Sequence, residues 1–229
     1  MPTTELIPII TVDGPSGSGK GTICRRLAQQ MGWHLLDSGA LYRLTALAAH
    51  HHGISTEDEE SIKVVAAHLD VQFLTDHTND IKIVLEGEEV TDAIRAEKIG
   101  SDASVVASMP SVRQALLKRQ RDFAVTPGLI ADGRDMGTVV FPQARLKVYL
   151  DASAEERATR RYKQLISKGV SASLEDILAD IKSRDERDMN RTVSPLKPAP
   201  EAVILDTTQM TIEEVLEMVL DEAKHKGLR

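Results

Sequence analysis

A glycine-rich segment near the start of the chain constrains the fold more than any other feature. It reads Gly-Pro-Ser-Gly-Ser-Gly-Lys-Gly-Thr from Gly14 to Thr22, after an apolar run at Ile7–Val12 and before a helical pattern that extends from Lys20 to about Met31. Glycines let the backbone curl, so that its N–H groups and the positive end of the following helix converge on a phosphate chain. The segment therefore predicts a strand, a phosphate-binding loop and a helix, with Lys20 at the outer phosphates.

The loop departs from the usual P-loop pattern at one position. The pattern is G-x4-G-K-[ST], and Gly21 stands where the hydroxyl residue belongs, with Thr22 one position later. A glycine-rich turn with a surface lysine is the alternative, but the flanking strand and helix favour the loop. Gly-Lys-Gly-Thr resembles the loop of nucleoside monophosphate kinases, which transfer a phosphoryl group from ATP to a nucleotide. The predicted ATP-binding loop comprises Gly14, Pro15, Ser16, Gly17, Ser18, Gly19, Lys20, Gly21 and Thr22.

Composition limits the kinds of partner that the chain can bind. Its 229 residues suffice for one domain with an inserted subdomain, and 28 basic against 35 acidic side chains give a net charge of −7. This balance argues against a broad surface for nucleic acid or anionic membranes. Cys24 is the single cysteine, so no internal disulfide can form, and we predict that it packs in the core. Residues 1–8 do not read as a signal peptide and no apolar run reaches membrane-spanning length, so we expect a cytoplasmic protein. We further expect a monomer whose partners are small molecules.

Alternating apolar runs and helical patterns predict an α/β fold of the P-loop kinase type: a five-stranded parallel sheet with helices on both faces. Most of the runs end at an aspartate, and ligands bind at the carboxyl ends of such strands. Residues 62–102 break this rhythm and predict a small antiparallel β-containing insert, with a turn at 75–80. The resemblance to nucleoside monophosphate kinases implies that this insert binds the nucleoside monophosphate. The predicted strands are Ile7–Val12, Trp33–Leu36, Leu129–Ala131, Leu146–Leu150 and Ala202–Leu205.

Charged side chains follow two of the predicted strands. Asp132 ends the run from Leu129, where a carboxylate can hold magnesium through water or can simply cap the next segment; with a P-loop present, metal binding is favoured. Arg134 can grip a phosphate with its forked donors, and Asp135 can accept from an amino group. Ser38 and Arg43 follow the second strand, where they suit an acceptor nucleotide, although Ser38 taken alone reads as a helix cap.

Arginines cluster in two later helical patterns. Arg184, Arg187, Asp188 and Arg191 lie on one helix face, either as an exposed salt-bridged surface or as a stripe that neutralises charge during phosphoryl transfer. Arg157 and Arg161, with Arg160, follow the strand that ends at Asp151. We predict that residues 152–168 form a lid that closes over ATP and excludes water.

Four motifs together resemble the bacterial cytidylate kinase family over nearly the whole chain: 14–22, 35–43, 132–141 and 184–191. The resemblance implies transfer of the ATP γ-phosphate to CMP or dCMP, with Mg²⁺ as cofactor. By the family's motifs, Ser104, Arg113 and Asp135 read cytosine with support from Ser38; Arg184 and Asp188 hold the sugar; and Arg43, Arg134 and Arg191 hold the acceptor phosphate. The predicted catalytic groups are Lys20, Arg134, Arg184 and Arg191.

Two rival functions predict different features. A P-loop kinase for another small acceptor, such as UMP or shikimate, would share the loop and differ in acceptor choice. A nucleotide-dependent switch protein would carry a hydroxyl directly after the P-loop lysine and an Asn-Lys-x-Asp segment that reads guanine. This chain has Gly21 after Lys20 and no such segment. The sequence therefore favours a kinase over a switch.

Overall fold

The computed structural model describes residues 7–75 and 81–228. Within it, five apolar segments form a parallel sheet. The strands are β1 (Ile9–Asp13), β2 (His34–Asp37), β6 (Leu129–Gly133), β7 (Leu146–Asp151) and β8 (Val203–Asp206), in the order β2-β6-β1-β7-β8. All pairings are parallel, and β1 lies at the centre with Val12 opposite both Asp132 and Val148. The predicted five-stranded parallel sheet is confirmed, and its carboxyl edge carries the aspartates that end the strands.

Eight α-helices occur in the described residues. Serine or threonine side chains cap the N-termini of three of them: Ser153, Ser173 and Thr211 accept from the backbone N–H three residues later. Thr211 also forms a reciprocal capping box with Glu214. The helices are α1 (Lys20–Met31), α2 (Ser38–His51), α3 (Glu59–Ala67), α4 (Glu97–Val106), α5 (Pro110–Arg121), α6 (Ala154–Ser167), α7 (Leu174–Asn190) and α8 (Ile212–His225).

The chain divides into two compact units. The larger unit contains the described residues up to Asp37 and those from Gln120 onward, and the smaller unit is Ser38–Arg119. The core of the larger unit packs α1 and α8 against the sheet through apolar side chains such as Ile10, Leu27 and Val219. Cys24 is fully buried in this core, as the sequence predicted. The P-loop therefore emerges from a rigid, well-packed layer.

The smaller unit contains the predicted antiparallel segment. Strands β3 (Val71–Thr75), β4 (Ile81–Leu85) and β5 (Glu88–Glu89) form a three-stranded antiparallel sheet in the order β3-β4-β5. The turn predicted at 75–80 lies outside the described residues from position 76 onward. Helix α4 was not predicted, and it packs against α2 within this unit. Asp58 caps α3, and the Glu59 carboxylate accepts from the Ser111 N–H and hydroxyl, which joins α3 to the start of α5.

Candidate active site

The glycine-rich segment links the end of β1 to the start of α1, as predicted. Gly14, Gly17 and Gly19 have φ values of +144°, +81° and +93°, in a region that other residues rarely adopt. A Cβ at Gly14 would lie 2.0 Å from the carbonyl oxygen of Leu150, so the loop also passes directly over β7. Helix α1 begins at Lys20, which directs its N-terminal N–H groups and dipole toward the loop. This is the geometry of a phosphate cradle.

Lys20 is buried within the loop that it serves. Its Nζ atom donates to the Pro15 carbonyl at 2.7 Å and lies 3.4 Å from the Ser18 hydroxyl, which itself donates to the Pro15 carbonyl. Burial and, to a smaller extent, the nearby Arg134 guanidinium lower the pKa of Lys20 to about 8, against the opposing attraction of Asp132. A buried ammonium with few fixed partners gains free energy when an anion arrives. Lys20 is therefore suited to a phosphate ligand.

Carboxylates converge where β1, β2 and β6 end. Burial raises the pKa of Asp132 to about 7, with Lys20 opposing the shift and Asp37 adding to it. Burial likewise raises the pKa of Asp13 to about 6, although two backbone N–H groups oppose this. Clustered, buried carboxylates destabilise the ligand-free protein when they ionise. A cation bound beside them would stabilise their ionised forms. The sequence-predicted position of Asp132 opposite the loop is observed.

The residues beside Asp132 fit a hydrated magnesium ion. A Cβ added at Gly21 would lie 3.5 Å from the Asp132 Oδ2 atom, so the glycine leaves the space next to the carboxylate open where a P-loop serine or threonine would fill it. Carboxylate oxygens suit Mg²⁺, which keeps several waters. No group of three His, Cys, Asp or Glu side chains that could hold a metal occurs in residues 7–75 and 81–228. That Asp132 holds the ion through water stays a prediction.

Arg134 and Asp135 stand directly after β6, as predicted from the strand end. The Arg134 Nε atom donates to the Asp188 Oδ2 atom at 2.9 Å. Burial alone would lower the pKa of Arg134, but the Asp188 carboxylate outweighs it and raises the value. Asp135 is buried and precedes a π-helical turn, Met136–Val140, in which the Val140 N–H donates to the Asp135 carbonyl five residues back. π-turns of this kind occur often at functional sites.

The arginine stripe of α7 is buried, so the alternative of an exposed salt-bridged face is wrong. Arg184, Asp188 and Arg191 are each less than 9% exposed, and only Arg187 of the four is partly exposed. Arg184 pairs with Asp180 one turn earlier. Arg191 follows the last helical residue, and its Nε atom donates to the Asp188 carbonyl at 3.3 Å. The stripe therefore concentrates cationic groups inside the larger unit, together with acidic residues of the same helix.

The arginines of α6 differ in their surroundings. Arg157 is buried: its guanidinium donates to the Ser16 carbonyl of the P-loop at 3.0 Å and forms a two-bond pair with Asp185. Arg161 is partly exposed, and its Nη1 atom donates to the Gln164 side chain. Arg160 donates to the carbonyl of Thr207, the residue that follows β8. Of the three, Arg157 touches the P-loop directly, and its ATP-binding role stays a prediction.

The remaining predicted nucleotide residues lie in the smaller unit. Ser38 is buried at the first position of α2, and Arg43 donates to the Ile94 carbonyl at 3.0 Å. Arg113 is buried, donates to the Ala107 carbonyl at 3.0 Å and stacks over the Tyr42 ring at 5.5 Å. Ser104 is partly buried on α4. Sequence reasoning did not single out Ile94, Ala107 or Tyr42 as partners of these arginines.

Two acidic residues of the larger unit were missed as site residues. Asp13 directly follows the first predicted strand, and its carboxylate accepts from the Met136 and Gly137 N–H groups at 2.8 Å each. Asp185 lies within the arginine motif, and it pairs with Arg157. Each contact joins residues more than 25 positions apart. The only signal in the sequence was a carboxylate at the end of a strand or inside a cationic motif.

A parallel sheet with a glycine loop before α1, a buried loop lysine and a carboxylate on the neighbouring strand defines a P-loop protein that binds nucleoside phosphates. The model of the family described as cytidylate kinase matches residues 10–225. The cytidylate kinase of Azotobacter vinelandii is 59% identical over 223 residues, which cover 96% of each chain. That of Aeromonas salmonicida is 57% identical over 222 residues, covering 97% of this chain and 96% of its own. The chain belongs to the cytidylate kinase family.

A solved structure supports the fold alone. An uncharacterized protein from Eubacterium ventriosum aligns with 95% of this chain and 98% of its own, with a TM-score of 0.51 at 8% sequence identity. None of the helices in residues 7–75 and 81–228 has both the length and the apolar character that a membrane crossing requires.

Proposed function

We propose that this chain transfers the γ-phosphoryl group of ATP to CMP and dCMP, giving ADP and the corresponding diphosphate. It is an enzyme of the phosphotransferase class. The observation that carries the proposal is the set of buried cations in the unit that holds the P-loop: Lys20, Arg184 and Arg191, with Arg134 beside them. Cations gathered around a phosphate-binding loop can stabilise the negative charge that phosphoryl transfer spreads over the transferred group and its neighbours.

The reaction needs no nucleophile from the protein. An oxygen of the acceptor phosphate attacks the γ-phosphorus in line, and the bond to the β–γ bridging oxygen of ATP breaks. Lys20 exchanges the Pro15 carbonyl for a phosphate oxygen, and the arginines neutralise charge on the transferred group and its neighbours. Asp132 would hold Mg²⁺ through water, and the ion, when bound, supplies charge neutralisation on the ATP phosphates. Positioning and electrostatics thus account for the chemistry.

Base choice depends on the pattern of donors and acceptors. Cytosine presents an amino donor beside an acceptor ring nitrogen, whereas uracil presents a carbonyl beside a ring N–H. A carboxylate such as Asp135 can accept from the amino group but meets the uracil carbonyl with no proton between them. An arginine such as Arg113 donates only to acceptors. The mismatch costs about 1–3 kcal/mol, which corresponds to roughly tenfold discrimination or more. The family resemblance supports the other proposed roles: Arg184 and Asp188 hold the sugar, and Arg43, Arg134 and Arg191 hold the acceptor phosphate.

An acceptor panel tests the proposed function. The purified chain is supplied with ATP and Mg²⁺ and with CMP, dCMP, UMP or shikimate at equal concentration, and ADP is measured. We expect ADP with CMP and dCMP and far less with the others. ADP formation that is independent of any acceptor would support a slow hydrolase instead, and preference for UMP or shikimate would support the rival kinase.

The Asp135→Asn variant tests the base-reading role. Because an amide can donate as well as accept, kcat/KM should fall more with CMP than with UMP, and the ratio between the two substrates should narrow. The matched control is Asp221→Asn, which makes the same change in an exposed residue of α8 that pairs with Lys224. An unchanged CMP to UMP ratio in Asp135→Asn would remove Asp135 from this role.

A further inference from the structure

The carboxylate of Asp13 holds the segment that follows β6. Asp13 ends β1 and is buried, and its two oxygens accept separately from the Met136 N–H and the Gly137 N–H, each at 2.8 Å. These two N–H groups begin the π-helical turn Met136–Val140, where intrahelical partners are missing. A carboxylate from a distant strand therefore closes the start of this turn. Hydrogen bonds donated to a charged acceptor are stronger than those between neutral groups.

The contact is close enough to dictate the residue at position 137. A Cβ added at Gly137 would lie 2.9 Å from the Thr11 Oγ1 atom, 3.2 Å from Lys147 Cδ and 3.3 Å from the Asp13 Oδ2 atom. A glycine is the one residue that lets the turn lie flat against β1. The turn is thus held against β1 both by hydrogen bonds and by close packing.

Arg134 and Asp135 directly precede this fixed point. The Asp135 carbonyl accepts from the Val139 and Val140 N–H groups of the same turn, so any displacement of the turn moves the backbone of Asp135. Arg134 is one residue further from the contact between Asp13 and the turn, which we call the Asp13 clamp, and it donates its own hydrogen bond to Asp188. Displacement of the turn should therefore affect Asp135 first.

We propose that Asp13 is a positioning residue for acceptor recognition, and that it fixes the backbone on which Asp135 is presented to the nucleobase. This inference rests on the proposed function of the chain as a CMP kinase. Asp13 does not touch the base in this role. It determines where the carboxylate of Asp135 lies, and a displacement of about 1 Å at such a group is enough to change rates strongly.

The Asp13→Asn variant removes one of the two acceptor oxygens of the clamp, while the side chain keeps nearly the same size. An amide has one acceptor oxygen, so it can accept from one of the two N–H groups, and its own NH₂ then faces the other donor. Loss of a buried hydrogen bond of this strength should raise KM for CMP about tenfold. The preference for CMP over UMP should narrow, because Asp135 no longer meets the amino group correctly. KM for ATP should change less than KM for CMP.

The test combines kinetics with hydrogen exchange. Wild type, Asp13→Asn and the control Asp221→Asn are compared for kcat and KM with CMP, UMP and ATP, and for amide exchange at Met136 and Gly137. We expect faster exchange at these two amides and a narrowed CMP to UMP ratio in Asp13→Asn only. A lowered thermal midpoint with an unchanged ratio would overturn the proposal, because Asp13 would then be purely structural. An equal rise in KM for ATP and CMP would also overturn it, since the effect would belong to the P-loop.

A second variant perturbs the same contact by adding volume instead of removing a hydrogen bond. Gly137→Ala places a methyl group against Thr11 and should shift the turn away from Asp13, again narrowing the CMP to UMP ratio. An unchanged ratio in a folded Gly137→Ala protein would count against the proposal. If the wild-type chain itself failed to phosphorylate CMP, the proposed function would fall, while the exchange rates at Met136 and Gly137 would still decide whether Asp13 is the clamp.

Discussion

The pair formed by Arg157 and Asp185 allows one prediction to be worked through quantitatively. Arg157 is 4% exposed and Asp185 is 13% exposed, and two hydrogen bonds of 3.1 Å and 2.5 Å join them. Arg157 also donates to the Ala152 carbonyl and to the Ser16 carbonyl of the P-loop. The guanidinium therefore ties together α6, α7 and the phosphate loop. Asp185 supplies the only negative charge among these four bonds.

The perturbation is Asp185→Asn. Breaking a buried pair by removing one charge costs about 3–5 kcal/mol, and the retained amide oxygen places the change near the lower end, at about 3 kcal/mol. For a chain of this length each kcal/mol shifts the thermal midpoint by about 2–4 °C, so we expect a fall of about 6–12 °C. KM for ATP should rise as well, because the guanidinium that holds Ser16 loses its counter-charge.

Thermal denaturation followed by circular dichroism measures the effect, with Asp221→Asn as the exposed control. Surface changes of that kind stay within about 0.5 kcal/mol. The double variant Arg157→Met/Asp185→Leu provides a further check, because replacing both charges with apolar groups of similar size should recover much of the stability. A midpoint for Asp185→Asn within about 1 °C of wild type would refute the reasoning, since the pair would then be solvated.

Three other changes have definite expected outcomes. Lys20→Ala should lower kcat by about 10²–10³ while circular dichroism stays unchanged, because Lys20 stabilises charge that moves during transfer; near-normal turnover would contradict this. Gly14→Ala should unfold at clearly lower urea concentration, since its Cβ meets the Leu150 carbonyl at 2.0 Å. The raised pKa of Asp132, about 7, means that the ligand-free native state holds its proton more tightly than the unfolded chain. The stabilising contribution of protonated Asp132 is therefore fully present below about pH 4 and is lost as pH rises through 7. The urea midpoint of wild type should fall across this range relative to that of Asp132→Asn. Parallel plots of urea midpoint against pH for the two proteins would refute this.

The sheet could be predicted from the sequence because buried parallel strands appear as short apolar runs. Residues 9–13, 34–37 and 129–133 illustrate this: each run is apolar and ends in or beside an aspartate or glycine. The loop motif then placed Lys20 and Asp132 at one edge, since the carboxyl ends of neighbouring parallel strands meet there. Local pattern and topology were sufficient for this part of the site.

The supporting contacts could not be predicted, because they depend on the approach of segments distant in the chain. Asp13 and Gly137 are separated by 124 positions, and neither carries a local pattern that points to the other. The spacing in α7 predicted that Arg184 and Asp188 share a face, but periodicity does not say whether that face is buried. The π-turn after Asp135 has no recognised sequence signal in this chain. Such features follow from tertiary packing rather than from propensity.

Arg134 and Asp188 are joined by a hydrogen bond that the family resemblance did not predict. The resemblance gives them separate tasks, the acceptor phosphate for Arg134 and the sugar for Asp188. In the structure the Arg134 Nε atom donates to the Asp188 carboxylate at 2.9 Å, and Asp188 is buried. A hydrogen bond between charged groups contributes about 1.5–3 kcal/mol, so each residue should depend on the other for its position.

A double-mutant cycle for kcat/KM with CMP separates the two views. If Asp188 orients Arg134, then Asp188→Asn already removes part of what Arg134 contributes, and the double variant with Arg134→Ala should lose less than the two single variants together. We expect a coupling energy above about 1 kcal/mol, which is well beyond the 0.3–0.5 kcal/mol scatter of independent sites. The pair Arg134→Ala and Asp221→Asn should be additive and serves as the control. Additivity for Arg134 and Asp188 would instead mean that each holds its own part of the nucleotide, and the hydrogen bond would have no share in acceptor binding.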